Sequence, residues 1–414
     1  MRVPERARKS VNVLLCLVAV AGIGWSGKEI WQVLRGRQQI DEACAGLVPA
    51  GRVLALSPAG GTITHRVADE GTIELDAGLP QDCEIFSTEA GEKGGSRSGE
   101  RWFFTGAVGA VGQGEGLSPE ASWDDLLDPG GPYSDHTYPD QPLGGGIAGI
   151  VTDTGVTVEL PCAKGVSDGR RVKALWARAS FLESETPFSD NGQPTAHDRG
   201  ILAETAVITA NRLAGRLGCT ERLPDPPDDI PALVEGPTPA AEAEGTCAWY
   251  RRTGLADRTL YADQVLESRT DPKAWDERCA LVLGDTRANT LYAAHADELD
   301  SVYRPDRPGR YFAAFHTYSG ENAKNIHLPN VDSHETPVAA EPGRAGRGDD
   351  EPAWWASSVC SGKPQIHTMT LSYGYEKLAT AAYEKVFRAY VDDVTARRGC
   401  TDVKFPATSA FHAD

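Results

Sequence analysis

The stretches RLGCTERLP (216–224) and RRGCTDVKFP (397–406) repeat one pattern: a basic helix end, Gly-Cys-Thr, and a proline shortly after. Glycine readily adopts the left-handed conformation that closes a helix, and a proline just beyond prevents the helix from resuming. Upstream of each stretch, apolar residues recur at helical spacing, which predicts two amphipathic helices. The predicted buried stripes are Ala203, Ala206, Val207, Ala210, Leu213, Ala214 and Leu217, and Ala379, Ala382, Tyr383, Val386, Tyr390, Val391 and Val394.

Each predicted helix is preceded by a cysteine and then a strand-like run: Cys162 before RRVKALWARAS (170–180), and Cys360 before QIHTMTLSYGY (365–375). Residues alternate between the two faces of a strand, so Ile366 and Thr368 are predicted on one face and His367 and Met369 on the other. Further strands are predicted at 101–111, 147–160, 310–320 and 352–360, with a hairpin turn at 153–155. Each unit therefore reads as an antiparallel sheet with a long C-terminal helix across one face.

Eight cysteines follow Cys16. Because their number is even and no two form a C-x-x-C pair, disulfides are favoured over a zinc site. A bridge from the start of the strand to the end of the helix would hold helix and sheet together. We therefore favour Cys162–Cys219 and Cys360–Cys400, which leaves Cys44–Cys83 and Cys247–Cys279 by elimination. Spacing alone does not decide among the about 105 pairings that eight cysteines allow.

The N-terminus combines a basic stretch, MRVPERARKS (1–10), with the apolar run VNVLLCLVAVAGIGWSG (11–27). As a helix this run is about 25 Å long, the short end of what crosses a bilayer. The alternative is a cleaved signal peptide with an A-x-A site at 19–21, but that site falls inside the apolar run. We expect an uncut membrane anchor, with Cys16 as a small apolar residue within it.

The expected fold class is α+β: an N-terminal transmembrane helix followed by two similar disulfide-closed modules. The expected boundaries are a cytoplasmic tail at 1–10, the anchor at 11–29, a juxtamembrane helix at 30–41, module 1 at 42–222, a Pro-rich acidic linker at 223–245, module 2 at 246–406 and a tail at 407–414. Because disulfides persist in oxidising compartments, both modules are expected to be extracytoplasmic.

The chain resembles membrane-anchored or secreted actinobacterial domains of unknown function. The resemblance rests on an N-terminal C-x-G-L at 44–47, a cysteine before a strand in mid-domain and a last helix ending in Gly-Cys. It would cover most of 42–406, although Cys247 is followed by AWYRRTG and departs from the pattern. The resemblance implies a location in the cell envelope and no established activity.

Several kinds of function are poorly supported by the sequence. The formal net charge of −18 and the lack of a basic cluster argue against nucleic-acid binding. A G-x-G-x-x-G at Gly144, Gly146 and Gly149 follows a Pro-rich loop and opens a strand, so it predicts a hairpin loop and no dinucleotide site. Metalloprotease, P-loop and nucleophile-elbow motifs are missing, and we predict no cofactor.

Three histidines, His316, His327 and His334, lie near Asp332 and Glu335. Their spacings of 11 and 7 fit no single helix face, so solvated loops are the better prediction than a metal site. The acidic stretches DDLLD (124–128) and PDPPDD (224–229) do not match the EF-hand loop and are predicted to be solvated. The remaining candidates for a ligand-stacking surface are Trp102, Phe103, Trp354 and Trp355. Adjacent aromatic residues in a strand normally place one ring in the core, so core packing is the favoured prediction for them.

These observations favour a single-pass, membrane-anchored envelope protein without catalytic activity, a binding or interaction module. Its expected partners are the lipid bilayer, through residues 11–29, and an envelope protein or cell-wall component. The alternative is an extracytoplasmic hydrolase acting on a wall component. That alternative requires a pocket that brings His316 or His367 together with an acid and a nucleophile.

Overall fold

The computed structural model describes residues 15, 30–65, 71–88, 101–111, 139–167, 169–181, 194–230, 232–234, 236–297, 311–328, 338–348, 352–371, 378 and 382–411. These residues form two large antiparallel sheets, each packed against helices on one face. We call residues 30–234 the N-terminal half and residues 236–411 the C-terminal half. The architecture is α+β, with sheet predominating.

The N-terminal half contains a seven-stranded sheet in the order β1-β2-β3-β9-β6-β5-β4. Helix α1 (30–43) and the short α2 (Ala50–Val53) precede the sheet. A separate two-stranded ribbon joins β7 to β8. The strands are β1 Ile63–His65, β2 Gln81–Ser87, β3 Arg101–Ala110, β4 Gln141–Gly144, β5 Ile147–Val151, β6 Gly155–Pro161, β7 Val166–Ser167, β8 Arg170–Arg171 and β9 Ala174–Phe181.

Helix α3 (Ala196–Leu217) covers one face of this sheet. It begins at Thr195, whose hydroxyl oxygen accepts a hydrogen bond from the backbone N–H of Asp198 (3.1 Å), and it ends at Gly218 with φ of 79°. The predicted stripe is buried against the sheet, except that Leu217 is only partly covered. Because this stripe is mainly alanine, the helix can lie close to the sheet.

The C-terminal half contains an eight-stranded sheet in the order β10-β11-β12-β13-β18-β17-β16, with β19 pairing with β17. Helices α4 (Ala248–Arg251) and α5 (Asp285–Ala294) lie early in this half, and a small ribbon joins β14 to β15. The strands are β10 Thr238–Pro239, β11 Gln264–Glu267, β12 Asp276–Val282, β13 Tyr311–Ser319, β14 Ile326–Leu328, β15 Val338–Ala340, β16 Gly346–Arg347, β17 Ala353–Cys360, β18 Lys363–Leu371 and β19 Cys400–Lys404.

Helix α6 (Tyr383–Arg398) packs on one face of the second sheet and ends at Gly399, with φ of 62°. Its predicted stripe is buried from Ala382 to Val394, while Ala379 lies outside the described residues. The two glycines thus take the same left-handed cap, as the repeated sequence predicts. We call the face under α3 or α6 the helix face of each sheet, and the opposite one the outer face.

Six strands occupy the same positions in both sheets. In chain order, β1, β2, β3, β5, β6 and β9 correspond to β11, β12, β13, β16, β17 and β18. The pairing registers agree as well: Cys83 lies opposite Gly106 in the first sheet, and Cys279 lies opposite Phe315 in the second. The similarity therefore extends from the cysteines to these six strands.

The four disulfides join Cys44 to Cys83, Cys162 to Cys219, Cys247 to Cys279, and Cys360 to Cys400. These are the pairs that the sequence favours. Within each half, one bridge joins the N-terminal segment to the second strand of the repeat. The other joins the end of β6 or β17 to the end of the long helix. Such bridges are typical of proteins that fold in an oxidising, extracellular environment.

The predicted linker and C-terminal tail are less separate than expected. Ile230 and Leu233 are buried in the N-terminal core, and Ala240 and Ala243 are buried in the C-terminal core. Phe411, in the predicted tail, is 2% exposed and stacks on Trp354 with ring centroids 5.4 Å apart. Apolar side chains thus anchor both ends of the linker, although its composition predicts an extended spacer.

The transmembrane helix in the expected fold class is wrong. Within the part of the chain that the structure describes, no helix has both the length and the apolar character needed to cross a bilayer. Helix α3 is long enough but carries charged residues such as Glu204 and Arg212, and α1 is too short. Of the predicted anchor at 11–29, only Leu15 is among the described residues.

Candidate functional site: the cleft between the halves

An open cleft of about 390 Å³ lies where the two halves meet. Its walls come from the segment before β4, from the end of the linker, and from β11 with the residues that follow it. Val234, from the linker, is 58% exposed, whereas Leu266, on β11, is buried. The lining residues are Pro139, Gln141, Val234, Gly236, Thr238, Glu244, Gly245, Val265, Leu266, Glu267, Ser268, Arg269 and Thr270.

Side-chain to backbone hydrogen bonds hold the walls of the cleft together. Gln141 Nε2 donates to the carbonyl of Glu267 (3.2 Å), and Gln141 Oε1 accepts from the backbone N–H of Arg269 (2.9 Å). The Arg269 guanidinium donates to the carbonyl of Pro142 (3.2 Å), and the Ser268 hydroxyl donates to the carbonyl of Asp140. Because these bonds join the two halves, the cleft is formed before any ligand binds.

The carboxylate of Glu267 shapes the floor of the cleft. Its two oxygens accept hydrogen bonds from the backbone N–H groups of Glu244 (2.8 Å), Gly245 (2.9 Å) and Cys247 (3.1 Å). A carboxylate with three such donors is occupied in fixing the backbone. The exposed charged side chains of the lining are then Glu244 and Arg269, one of each sign.

A chain of charged groups, from half-buried Asp140 and Arg278 to buried Asp276, continues from the cleft into the C-terminal half. Arg278 contacts Asp140 of the N-terminal half (3.0 Å) and Asp276 of its own strand (2.8 Å), and Asp276 contacts Nδ1 of His316 (2.9 Å). Burial raises the pKa of Asp276, but the positive charge of Arg278 and the contact with His316 outweigh burial and hold it at about 2. Asp276 is thus a fixed negative charge that ties β12 to the inter-half contact.

The halves also touch at a second place, on the outer face of the first sheet. Asn322, in the 3-10 turn Asn322–Lys324, donates from Nδ2 to Oε2 of Glu159 on β6 (2.5 Å). Lys173, from the N-terminal half, contacts Glu321 (3.6 Å). We call this the Glu159–Asn322 contact, to distinguish it from the cleft.

The arrangement closest to a hydrolase site is sealed inside the C-terminal half. The hydroxyl of Ser358 lies 2.9 Å from Nε2 of His367, and the other ring nitrogen of His367 lies 2.8 Å from the hydroxyl of Thr317. The Thr317 hydroxyl also contacts that of Tyr390 (2.7 Å). Ser358 is 2% exposed, and the third partner is a hydroxyl where a catalytic triad has a carboxylate. This pair gives substrate no access.

Burial lowers the pKa of His367 to about 3, and the nearby charge of Arg398 acts in the same direction. Burial raises the pKa of Tyr390 well above its usual range. Both groups are therefore neutral at physiological pH, and the four side chains form a satisfied polar network on the helix face. Its role is structural: it fixes α6 over β13 and β18.

Of the aromatic candidates for a stacking surface, Phe103, Trp354 and Trp355 are buried. The indole N–H of Trp354 donates to the carbonyl of Ala410 (2.7 Å), which fixes that ring in the core. Trp102 alone among them is solvent-accessible, at 43% exposure. The structure therefore brings no two of these rings together on a surface.

The structure also places several of the glycine and histidine candidates from the sequence. Gly144 and Gly146 have positive φ in the tight turn between β4 and β5, as the hairpin prediction requires. The prediction of a solvated loop is wrong for His316, which is buried on β13 beside Asp276. His327 lies on β14. Outside the described residues are His334, Asp332, Glu335 and DDLLD (124–128). Among the described residues, no group of histidine, cysteine and acidic side chains could hold a metal ion.

A second depression, of about 520 Å³, lies between α1, α2 and α3 and includes Arg37, Arg52 and Arg212. Two of these arginines already have partners. Arg52 pairs with Glu204 (2.9 Å), and Arg212 donates to the carbonyl of Gly46 (3.1 Å). These contacts stabilise the packing of the helices. The cleft between the halves is the better candidate for a ligand site.

Sequence reasoning missed the inter-half residues Gln141, Asp140, Glu159 and Asn322. In the pattern VTVEL, Glu159 alternates with buried Val158 and Leu160, which predicts a solvent-facing carboxylate. No local signal shows that another part of the chain covers that position. No family model, no curated protein and no solved structure matches this chain, so the actinobacterial resemblance stays a prediction.

Proposed function

We propose that this chain is an extracytoplasmic binding protein that holds an envelope protein or a cell-wall component in the cleft between its halves. One observation carries the proposal: the cleft is open, and its walls are drawn from both halves and fixed by inter-half hydrogen bonds. Sites of this size, lined by both apolar and polar groups, are suited to a small ligand or a short segment of a larger one.

Exposed Val234 and exposed charges of both signs, Glu244 and Arg269, suit an uncharged glycan or a peptide segment better than a strongly anionic ligand. Preformed walls reduce the ordering that binding would otherwise require, so modest contact area can still give useful affinity. The disulfides support an extracellular place of action. The described geometry provides no exposed nucleophile–base pair, so we do not pursue the hydrolase alternative.

Site-specific photocrosslinking tests the proposal. A photoreactive amino acid replaces Val234 in the full-length protein, which is irradiated in intact cells, and the covalent products are identified by mass spectrometry. The matched control replaces Val403, another exposed valine, 42% exposed and on β19. We expect position 234 to capture one protein or wall fragment that position 403 does not. Identical products from both positions, or none from position 234, would contradict a ligand site in the cleft.

A further inference from the structure

The Glu159–Asn322 contact has an unusual hydrogen-bond balance. Asn322 is 2% exposed, and its Nδ2 donates to Glu159. Its carbonyl oxygen, Oδ1, is buried and has no hydrogen-bond partner within the part of the chain that the structure describes. A buried amide oxygen without a donor costs about 1–3 kcal/mol.

The protonation state of Glu159 decides whether that oxygen is satisfied. An ionised carboxylate only accepts hydrogen bonds, so it can pair with Nδ2 but not with Oδ1. A protonated carboxyl group both accepts and donates, and it can close a two-bond ring with the carboxamide. Within this pair, Oδ1 of Asn322 therefore has a donor only when Glu159 carries a proton.

The surroundings of Glu159 favour the same state. Burial raises its pKa to about 7, which outweighs the lowering by the Asn322 hydrogen bond and by Lys363, and Glu321 raises it further. Glu321 is itself held by Lys324 (2.6 Å) and Lys173 (3.6 Å). The charged groups near the contact thus carry both signs, and burial decides the result.

We propose that Glu159 and Asn322 form a proton-dependent latch between the two halves, closed when Glu159 is protonated and released when it ionises. The ion pair between Arg278 and Asp140 and the hydrogen bonds of Gln141 hold the halves together elsewhere. Release of the latch would therefore let one half tilt about the contacts at the cleft. The latch goes beyond the proposed function, because the proposal does not depend on which ligand the cleft binds.

The direction of the pH effect follows from the two states. When the latch is open, Glu159 is solvated and has its ordinary pKa of 4.5; when it is closed, that pKa is about 7. Between these values the closed form binds more protons, so raising the pH shifts the equilibrium toward the open form. The expected change in the closing equilibrium from pH 4.5 to pH 8 is on the order of 100-fold.

Fluorescence energy transfer within the full chain measures the latch. Fluorophores are attached through non-natural amino acids, which leave the disulfides intact, at Arg171 in the N-terminal half and at Glu341 in the C-terminal half. Both positions are exposed. We expect the energy transfer of the parent protein to change between pH 4.5 and pH 8, with a midpoint between the two pKa values of Glu159, 4.5 and about 7.

The matched variant is Glu159→Gln, whose amide can pair with both Asn322 atoms at any pH. We expect it to keep the low-pH energy transfer throughout the range. Asn322→Ala lacks the carboxamide of the latch and should show the energy transfer of the open, high-pH form at every pH. Constant energy transfer in the parent protein would overturn the proposal. So would a Glu159→Gln variant that titrates with the parent's midpoint, since histidines such as His316 would then be responsible.

Discussion

The two halves use the same disulfide frame and fill it differently. Aligned on their cysteines, the helix-face positions of Thr317, His367 and Ser358 in the C-terminal half correspond to Val108, Ala177 and Leu160 in the N-terminal half. One half thus has apolar residues where the other has a hydrogen-bonded network. Bulk is redistributed as well, because Phe315 corresponds to Gly106, where a Cβ would lie 2.7 Å from Val48.

This difference shows that the shared disulfides and strand order fix the pairing register of each sheet. They do not determine whether the core residues are apolar or polar. An apolar core needs only side chains whose volumes fit together, and the alanines of α3 meet this need in the N-terminal half. A polar filling must satisfy every buried donor and acceptor, so it depends on a few specific side chains and on pH. We expect the N-terminal half to tolerate substitution better, and four measurements test this difference between the halves.

The largest effect is expected from removing a disulfide. In the chain-entropy model, the Cys162–Cys219 and Cys360–Cys400 bridges each contribute about 4 kcal/mol to the free energy of unfolding, because loop length enters only as a logarithm. The double variants Cys162→Ala/Cys219→Ala and Cys360→Ala/Cys400→Ala should lose similar stability in urea unfolding. A much larger loss in the C-terminal half would show that its polar network depends on the bridge.

The pH dependence of His367 should be the next largest effect. Its pKa is about 3 in the folded state and 6.5 when exposed, so the unfolded chain binds the extra proton between these values. Stability should be independent of this group above pH 6.5 and fall by about 1.4 kcal/mol per pH unit below it, levelling near pH 3.

The measurement is the difference in unfolding free energy between the parent and His367→Gln, from pH 8 to pH 4.5. The difference cancels titrations elsewhere, including that of Glu159. By pH 4.5 we expect the parent's advantage to shrink by about 3 kcal/mol. A difference that stays constant with pH would show that His367 is not held neutral in the fold.

A reciprocal exchange at corresponding positions should cost about 2 kcal/mol in each half. Thr317→Val removes the hydroxyl that contacts both His367 and Tyr390, and Val108→Thr buries a hydroxyl among apolar side chains. Each is measured by urea unfolding against its parent. If Thr317→Val proved neutral, the network would not be what positions α6.

The smallest effect is expected at the two helix caps. Gly218→Ala and Gly399→Ala each force a Cβ into left-handed backbone, at a cost of about 1 kcal/mol. No atom lies within 4 Å of either added Cβ, so the two losses should be equal within error in thermal or urea unfolding. Unequal losses would reveal a difference between the helix ends that the repeat hides.

Much of the fold could be predicted from the sequence because its signals are local. The periodicity of Ala203 to Leu213 and the glycines before Cys219 and Cys400 predict the two helices and their ends. Alternation in β18 correctly puts Met369 and Ile366 on opposite faces, which the structure shows to be the helix face and the outer face, respectively. The repeat also favours the two bridges that hold each helix to its own sheet, Cys162–Cys219 and Cys360–Cys400.

The candidate site could not be predicted, because it depends on contacts between residues far apart in the chain. Gln141 and Arg269 are separated by 128 positions, and Glu159 and Asn322 by 163. Alternation places Glu159 on the outer face, and nothing in its neighbourhood indicates that Asn322 covers it. For the same reason the polar network escaped notice: Thr317, Ser358 and His367 each resemble ordinary strand residues.

The anchored linker sets a limit on how far the halves can travel. Leu233 is buried in one core and Ala240 in the other, seven residues further along the chain. A fully extended chain of that length spans about 24 Å. Should the inter-half contacts break, each surface would still face its counterpart at a high effective concentration. The molecule is then a tethered pair that rebinds itself, and each rebinding restores the cleft.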